Sequence, residues 1–332
     1  YTETGNVAYL NQVEGIDNPS YLCVASNNRF VYSVNEIGAD RKGSVSSFSF
    51  EPKVGKIALI NKQASTGTGP CYISIDKNRS HVFVANYQSG ALSVLPVNKD
   101  GSLSPVVQTI QDSGHGVNKD RQEGPHVHTA VLSPDEKYLL YTDLGTDKLN
   151  IYRYKPSHDQ PLNLSDPFSV SVAPGHGPRH IDFSADKRFM YLMTEMGGVV
   201  YVYNYNGGKP QQLQSISIVP EKYTGAIGGA DIHVSPDGNF LYCTDRGDDN
   251  AIIVFAINKE TGHLTFVERV SSRGKTPRNF AIDPSGKFLL VANQNSDNIF
   301  VYLIDKATGK LVITNNKIMV GNPSCLKFTP AE

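Results

Sequence analysis

The chain repeats itself. Segments beginning at Asn18, Gly69, Gly124, Gly177, Gly228 and Thr276 follow one pattern, and a seventh copy opens at Asn322. Successive copies start 46 to 55 residues apart. A unit of that length buries its apolar face only by stacking on its neighbours, so the repeat constrains the fold before any single residue does.

Within each copy, apolar residues alternate with polar ones and turn signals recur every few residues. This is the signature of strands, and no sustained helical period competes with it. The first strand is a short apolar run, such as residues 72–75 or 128–132. A turn follows, clearest in Ser235-Pro236-Asp237-Gly238 and Asp283-Pro284-Ser285-Gly286, where Pro and Gly preset the dihedrals. The second strand is rich in Tyr, Phe, Val and Leu (30–34, 138–142, 240–244, 288–292). The third alternates (44–48, 298–302), and the fourth follows a Gly turn (261–266). The expected fold is all-β: a seven-bladed β-propeller with four antiparallel strands per blade, as one domain over residues 1–332. Its last blade is shared between the termini. Residues 324–328 give strand one and residues 6–12, after Glu3-Thr4-Gly5, give strand four. Strands two and three should precede Tyr1 or be reduced to Tyr1-Thr2, so this blade is expected to be incomplete at the N-terminus.

Charge is balanced, with 31 Lys and Arg against 32 Asp and Glu. No global field favours nucleic acid or an anionic membrane, and no apolar run approaches the roughly 20 residues of a membrane span. Cys23, Cys71, Cys243 and Cys325 show no zinc-type spacing. They read as buried thiols, which suits a reducing, cytoplasmic setting. A monomer or weak homodimer is expected. No nucleophile elbow, Walker loop or dinucleotide fingerprint occurs, and neither a metal nor a cofactor is expected.

Columns across the repeats separate scaffold from site. At the end of strand two, Asn35, Asn86, Asp143, Thr194, Asp245 and Asn293 are all small and polar, which reads as backbone capping. The next column (Glu36, Tyr87, Leu144, Glu195, Arg246, Gln294) and the one opening strand one (Ser20, Cys71, His128, Arg179, Ala230, Arg278, Ser324) vary and carry charge. Antiparallel pairing brings both to one end of the ring. In the third copy the start is longer, and either His126 or His128 can hold the inward position. His180 and His233 lie on strand one and can face either way. Two linkers, 112–124 and 224–229, should overhang the same end.

Arginine forks pair with carboxylate or phosphate and stabilise an oxyanion, while an imidazole can deprotonate water or a C–H bond. At these residues the chain resembles the seven-bladed propeller lactonase family. That family holds the propeller-type 6-phosphogluconolactonases and is similar to the fungal carboxymuconate lactonizing enzymes. The resemblance runs through NPSYL…YSVNE, GPHVH…SPDEKYLLYTDLGTD, PGHGPRHIDF, ADIHVSPDGNFLYCTDRG and TPRNFAIDPSGKFLLVANQ. It implies metal-free hydrolysis of a small anionic lactone, with a place in the pentose phosphate pathway of glucose metabolism. It also implies catalytic roles for His128 (His126 competing), Arg179, Glu195 and Arg246. His126, Arg278, Glu36 and His180 are the further substrate-binding candidates, Arg278 for a phosphate. The alternatives are a carboxymuconate-type cycloisomerase and a non-catalytic ligand- or protein-binding propeller.

Overall fold

The computed structural model describes residues 4–37 and 42–329. It contains six antiparallel four-stranded sheets, each joined in simple sequence order. Blade 1 comprises Leu22–Val24, Phe30–Asn35, Ser44–Glu51 and Lys56–Ala64. Blade 2 comprises Pro70–Ile75, His81–Asn86, Ala91–Pro96 and Gln108–Gln111. Blade 3 comprises Val127–Leu132, Tyr138–Asp143, Lys148–Tyr154 and Leu162–Ser171. Blade 4 comprises Pro178–Phe183, Phe189–Thr194, Val199–Asn204 and Gln211–Ser217. Blade 5 comprises Gly229–Val234, Phe240–Asp245, Ala251–Ile257 and Leu264–Ser271. Blade 6 comprises Pro277–Ile282, Phe288–Asn293, Asn298–Ile304 and Leu311–Met319. Among the described residues the only helical piece is a single 3₁₀ turn, Gln294–Ser296. The chain groups into two compact units. One is built on Tyr9–Gly177 (blades 1–3), the other on Pro178–Phe328 (blades 4–6) with the segment ending at Ala8.

The repeat explains the burial. Strand two is covered on both faces, so Phe189–Thr194 and Phe240–Asp245 are buried along their whole length. The outermost strands alternate or lie exposed, as in Gln211–Ser217. Within the second unit, blade 4 packs on blade 5 through Tyr191, Met193, Leu241 and Ile253, and blade 5 on blade 6 through Tyr242, Val254, Leu289 and Val291. Within the first, Phe83 and Leu92 of blade 2 meet Leu139 and Tyr141 of blade 3.

One inter-blade contact recurs. The strand-two tyrosines Tyr32, Tyr191 and Tyr242 donate to the carbonyls of Gly101, Gly262 and Gly309 in the next blade, at 3.1, 3.2 and 2.8 Å. Each glycine has positive φ and packs against a phenylalanine, so that an added Cβ would stand 2.2 to 2.5 Å from Phe30, Phe189 or Phe240. Gly5 repeats this packing on Phe288.

The shared seventh blade differs from expectation. Among the described residues, neither 6–12 nor 324–328 forms a strand. Strands one and four of a blade are never neighbours, and the inner strands that would pair with them are not among the described residues. Tyr1-Thr2 lies outside the described residues. The 324–328 segment instead follows blade 6: Leu326 and Phe328 pack on its apolar cluster, and Leu326 N–H donates to Asn279 Oδ1 at 2.6 Å.

Candidate functional site

The small polar column holds backbone, as its uniformity suggests. All six members are fully buried. Asp143 Oδ1 accepts from the N–H groups of His126 (2.7 Å) and Gly145 (3.0 Å), and Asp245 Oδ1 from those of Gly228 (2.8 Å) and Gly247 (3.0 Å). Thr194 Oγ1 bridges the N–H and C=O of Val199, both at 2.9 Å. These bonds fix the chain just before the variable column, and so aim Glu195 and Arg246.

The column opening strand one is aimed by a different device. In blades 2, 3, 4 and 6 the pairing with strand two slips by one residue there. The extra residue is Cys71, His128, Arg179 and Arg278 in turn, and blade 5 carries the same irregularity beside Ala230. A β-bulge turns its extra side chain out of the alternation of the sheet. Pro178 faces Thr194 as Val127 faces Asp143, so His128, not His126, is the structural counterpart of Arg179.

In the unit of blades 1–3, His128 is buried and meets the Tyr87 ring edge-on, centroids 5.6 Å apart. His126 stacks on the same ring at 4.5 Å. Its Nδ1 lies 3.0 Å from the Tyr87 carbonyl and its Nε2 3.1 Å from Glu123 Oε1. The linker that carries Glu123 is pinned by Gln122, which is fully buried and donates to the Leu144 carbonyl at 2.9 Å. At the linker's start, Asp112 accepts from Tyr141 Oη (2.8 Å) and Asn150 Nδ2 (2.9 Å). Burial, reinforced by the neighbouring Asp143, pushes its carboxyl up to about 7. Glu36 is half-buried at the end of blade 1, its backbone tied to Asn18.

In the unit of blades 4–6 the structure gathers Arg179, Glu195, Arg246 and His180. Glu195 Oε2 accepts from Arg179 Nε at 3.0 Å and Arg246 Nη2 at 2.7 Å. Arg179 Nη1 also donates to the Ala230 carbonyl (2.6 Å) and lies 3.3 Å from His180 Nε2. Arg179 is 1% exposed, and that burial, with the charges of Arg246 and Arg278, lowers its pKa to about 10. It therefore stays cationic at neutral pH. Two guanidinium groups share one carboxylate here, with the charge of Arg278 acting on Arg179, and paired forks of this kind suit an anion.

Behind Arg179 lies a network that the columns contained but the charge pattern did not advertise. His180 Nδ1 sits 2.7 Å from Asp231 Oδ1. Asp231 Oδ2 is 3.0 Å from His233 Nε2, and accepts from Asn279 Nδ2 and from the Phe280 N–H at 3.3 Å. His233 Nδ1 lies 3.8 Å from Asp182. Burial and Arg179 lower His180 to about 3. Burial also opposes charge on His233, but Asp231 and Asp182 outweigh it and raise the imidazole to about 9. Asp231 is held well below the usual carboxylate range: its hydrogen-bonded histidines overcome its burial. His180, Asp231 and Asn279 are one repeat column, polar in these three blades. In the other unit the column reads Tyr21, Tyr72 and Thr129, and the two tyrosines stack with centroids 4.2 Å apart. The succession His180, Asp231 and Asn279 in three consecutive copies was the available signal.

Residues 1–328 match the family described as lactonase, 7-bladed β-propeller. The chain belongs to this lactonase family. It is 38% identical over 315 residues to the 6-phosphogluconolactonase of Bacillus subtilis, covering 94% of this chain and 88% of that protein. It is 35% identical over 328 residues to the 6-phosphogluconolactonase of Formosa agariphila, covering 98% and 93%. The solved structure of the Pseudomonas aeruginosa periplasmic gluconolactonase superposes with a TM-score of 0.90 at 42% identity, covering 94% of this chain and 88% of that one. The β-propeller class and the membership among ester-opening lactonases therefore stand. No helix among the described residues is long and apolar enough to cross a membrane.

Proposed function

We propose that this lactonase hydrolyses 6-phosphogluconolactone or a similarly anionic sugar lactone. The observation that carries the reading is the shared carboxylate. Glu195 holds Arg179 and Arg246 side by side in a buried setting, with the Arg278 charge acting on the same guanidinium. Paired guanidinium groups stabilise the oxyanion that forms when water attacks the lactone carbonyl, and a third cation suits a phosphate. The attacking water loses a proton to a base. The family resemblance names His128 for this step, with His126 as competitor, and the bulge position of His128 supports it. The C–O bond of the ring ester then breaks, and the departing alkoxide takes a proton to give the open hydroxy acid. The reading of residues 1–332 as a single seven-bladed domain belongs to the same proposal and is supported by the family match. So does a cytoplasmic location, in keeping with four cysteines that form no disulfide.

The test is the opening of 6-phosphogluconolactone by wild type, His128→Ala and Arg179→Ala, with spontaneous hydrolysis subtracted and unphosphorylated gluconolactone run in parallel. Both variants should lose roughly 100-fold or more in rate, the order of a lost base or oxyanion donor. Arg278→Ala should raise KM for the phosphorylated lactone alone. Wild-type turnover at background would end the proposal, and equal rates in all variants would remove the site.

A further inference from the structure

We infer that Asp231 and His180 are positioning residues for Arg179: Asp231 holds His180 as the Nδ1–H tautomer, so that Nε2 accepts a hydrogen bond from the guanidinium. The inference rests on Arg179 being the group that addresses the lactone. A guanidinium only donates. The 3.3 Å contact between Arg179 Nη1 and His180 Nε2 therefore requires a lone pair on Nε2, which places the ring proton on Nδ1. That proton points at Asp231 Oδ1, 2.7 Å away.

The opposite side of Asp231 is built to keep it an acceptor. Its Oδ2 receives His233 Nε2, Asn279 Nδ2 and the Phe280 N–H. The orientation of Asn279 is itself decided, because the Leu326 N–H donates to its Oδ1 and so turns its NH₂ toward Asp231. With Nε given to Glu195 and Nη1 to His180 and the Ala230 carbonyl, the plane of the Arg179 guanidinium is fixed. A carboxylate that sets the tautomer of a histidine, which in turn orients a functional group, is an outer-shell device whose loss weakens function without touching substrate. The side chains come from three consecutive blades, so the column that ties these blades together also fixes the direction of Arg179.

The experiment uses the full chain. Long-range ¹H–¹⁵N spectra of histidine-labelled protein read the tautomer of His180, assigned by its loss in His180→Leu, and the kinetics use 6-phosphogluconolactone. Wild type should show His180 as neutral Nδ1–H between pH 6 and 8. Asp231→Asn can donate to Nδ1, so it should shift His180 toward Nε2–H, which faces the guanidinium donor to donor. Its kcat should fall by roughly 10- to 100-fold, the range for an outer-shell partner. His180→Leu should fall as far, and His180→Gln, which returns an acceptor near Nε2, should recover most of the loss. A wild-type His180 found as Nε2–H would overturn the inference and leave the proposed function standing. So would a folded Asp231→Asn with wild-type kcat. Background-level turnover by wild type would instead sink the proposed function and the kinetic role together. If Asp231→Asn does not fold, the Leu and Gln variants at position 180 decide: equal losses in both contradict positioning.

Discussion

Glu195 Oε2 is shared by two arginines, 3.0 Å from Arg179 Nε and 2.7 Å from Arg246 Nη2. Glu195 is almost completely buried and its carboxylate is what allows two guanidinium groups to stand together. Removing it leaves buried positive charge uncompensated. Glu195→Ala should cost about 3–5 kcal/mol in denaturant unfolding. Glu195→Gln should unfold at intermediate denaturant, because it keeps an acceptor but not the charge. A Glu195→Ala midpoint matching wild type would show that the arginines are stabilised from elsewhere.

His233 gives a signed pH dependence. Its pKa is raised from 6.5 unfolded to about 9 folded. A group whose folded pKa is raised contributes fully below the unfolded value and loses that contribution as pH rises through the folded one. Stability should therefore decline between pH 6.5 and 9, and His233→Gln should flatten that part of a pH series of urea melts. An unchanged slope in the variant would separate His233 from the Asp231 network.

Asp112 acts with the same sign through an acid. Its carboxyl is raised from 3.8 to about 7, so the fold holds the proton more tightly than the unfolded chain does. Stability falls as pH rises from about 4 to 7, and ionisation costs the fold above that. Asp112→Asn should thus gain stability relative to wild type at pH 8 and not at pH 4. Hydrogen exchange in residues 112–124 at the two pH values checks whether the linker follows.

Gly262 tests the recurring blade contact. Its φ is +74°, and a Cβ there would stand 2.5 Å from Phe189. Gly262→Ala combines a left-handed backbone penalty with overpacking, each of about 1–3 kcal/mol. Thermal melting should fall clearly below wild type. Gly207→Ala makes a good control, since its φ is also positive (54°) but nothing lies within 4 Å of an added Cβ.

The six strand-two segments and the turns that precede them follow from local chemistry repeated along the chain, whereas the Tyr–Gly blade contacts join residues 67 to 71 apart and emerge only when blades pack. Alternating apolar residues, Pro and Gly at turns, and a small polar residue closing strand two act over a few residues, so they are legible without a structure. The same holds for the candidacy of Arg179, Glu195 and Arg246, because charges in a repeat that packing does not require stand out by comparison of columns. The choice between His126 and His128 was not legible. It depends on where the strand pairing slips, and register is settled by partners some 15 residues away. Nor did the sequence identify Asp231 as the centre of a network, since His180 and Asn279 lie 51 and 48 residues away on neighbouring blades. The sequence determined which blades form and which residues break their pattern, because those signals are local. Tertiary structure decided which nitrogen carries a proton and which guanidinium shares which carboxylate, because desolvation and hydrogen-bond direction exist only once the blades are packed.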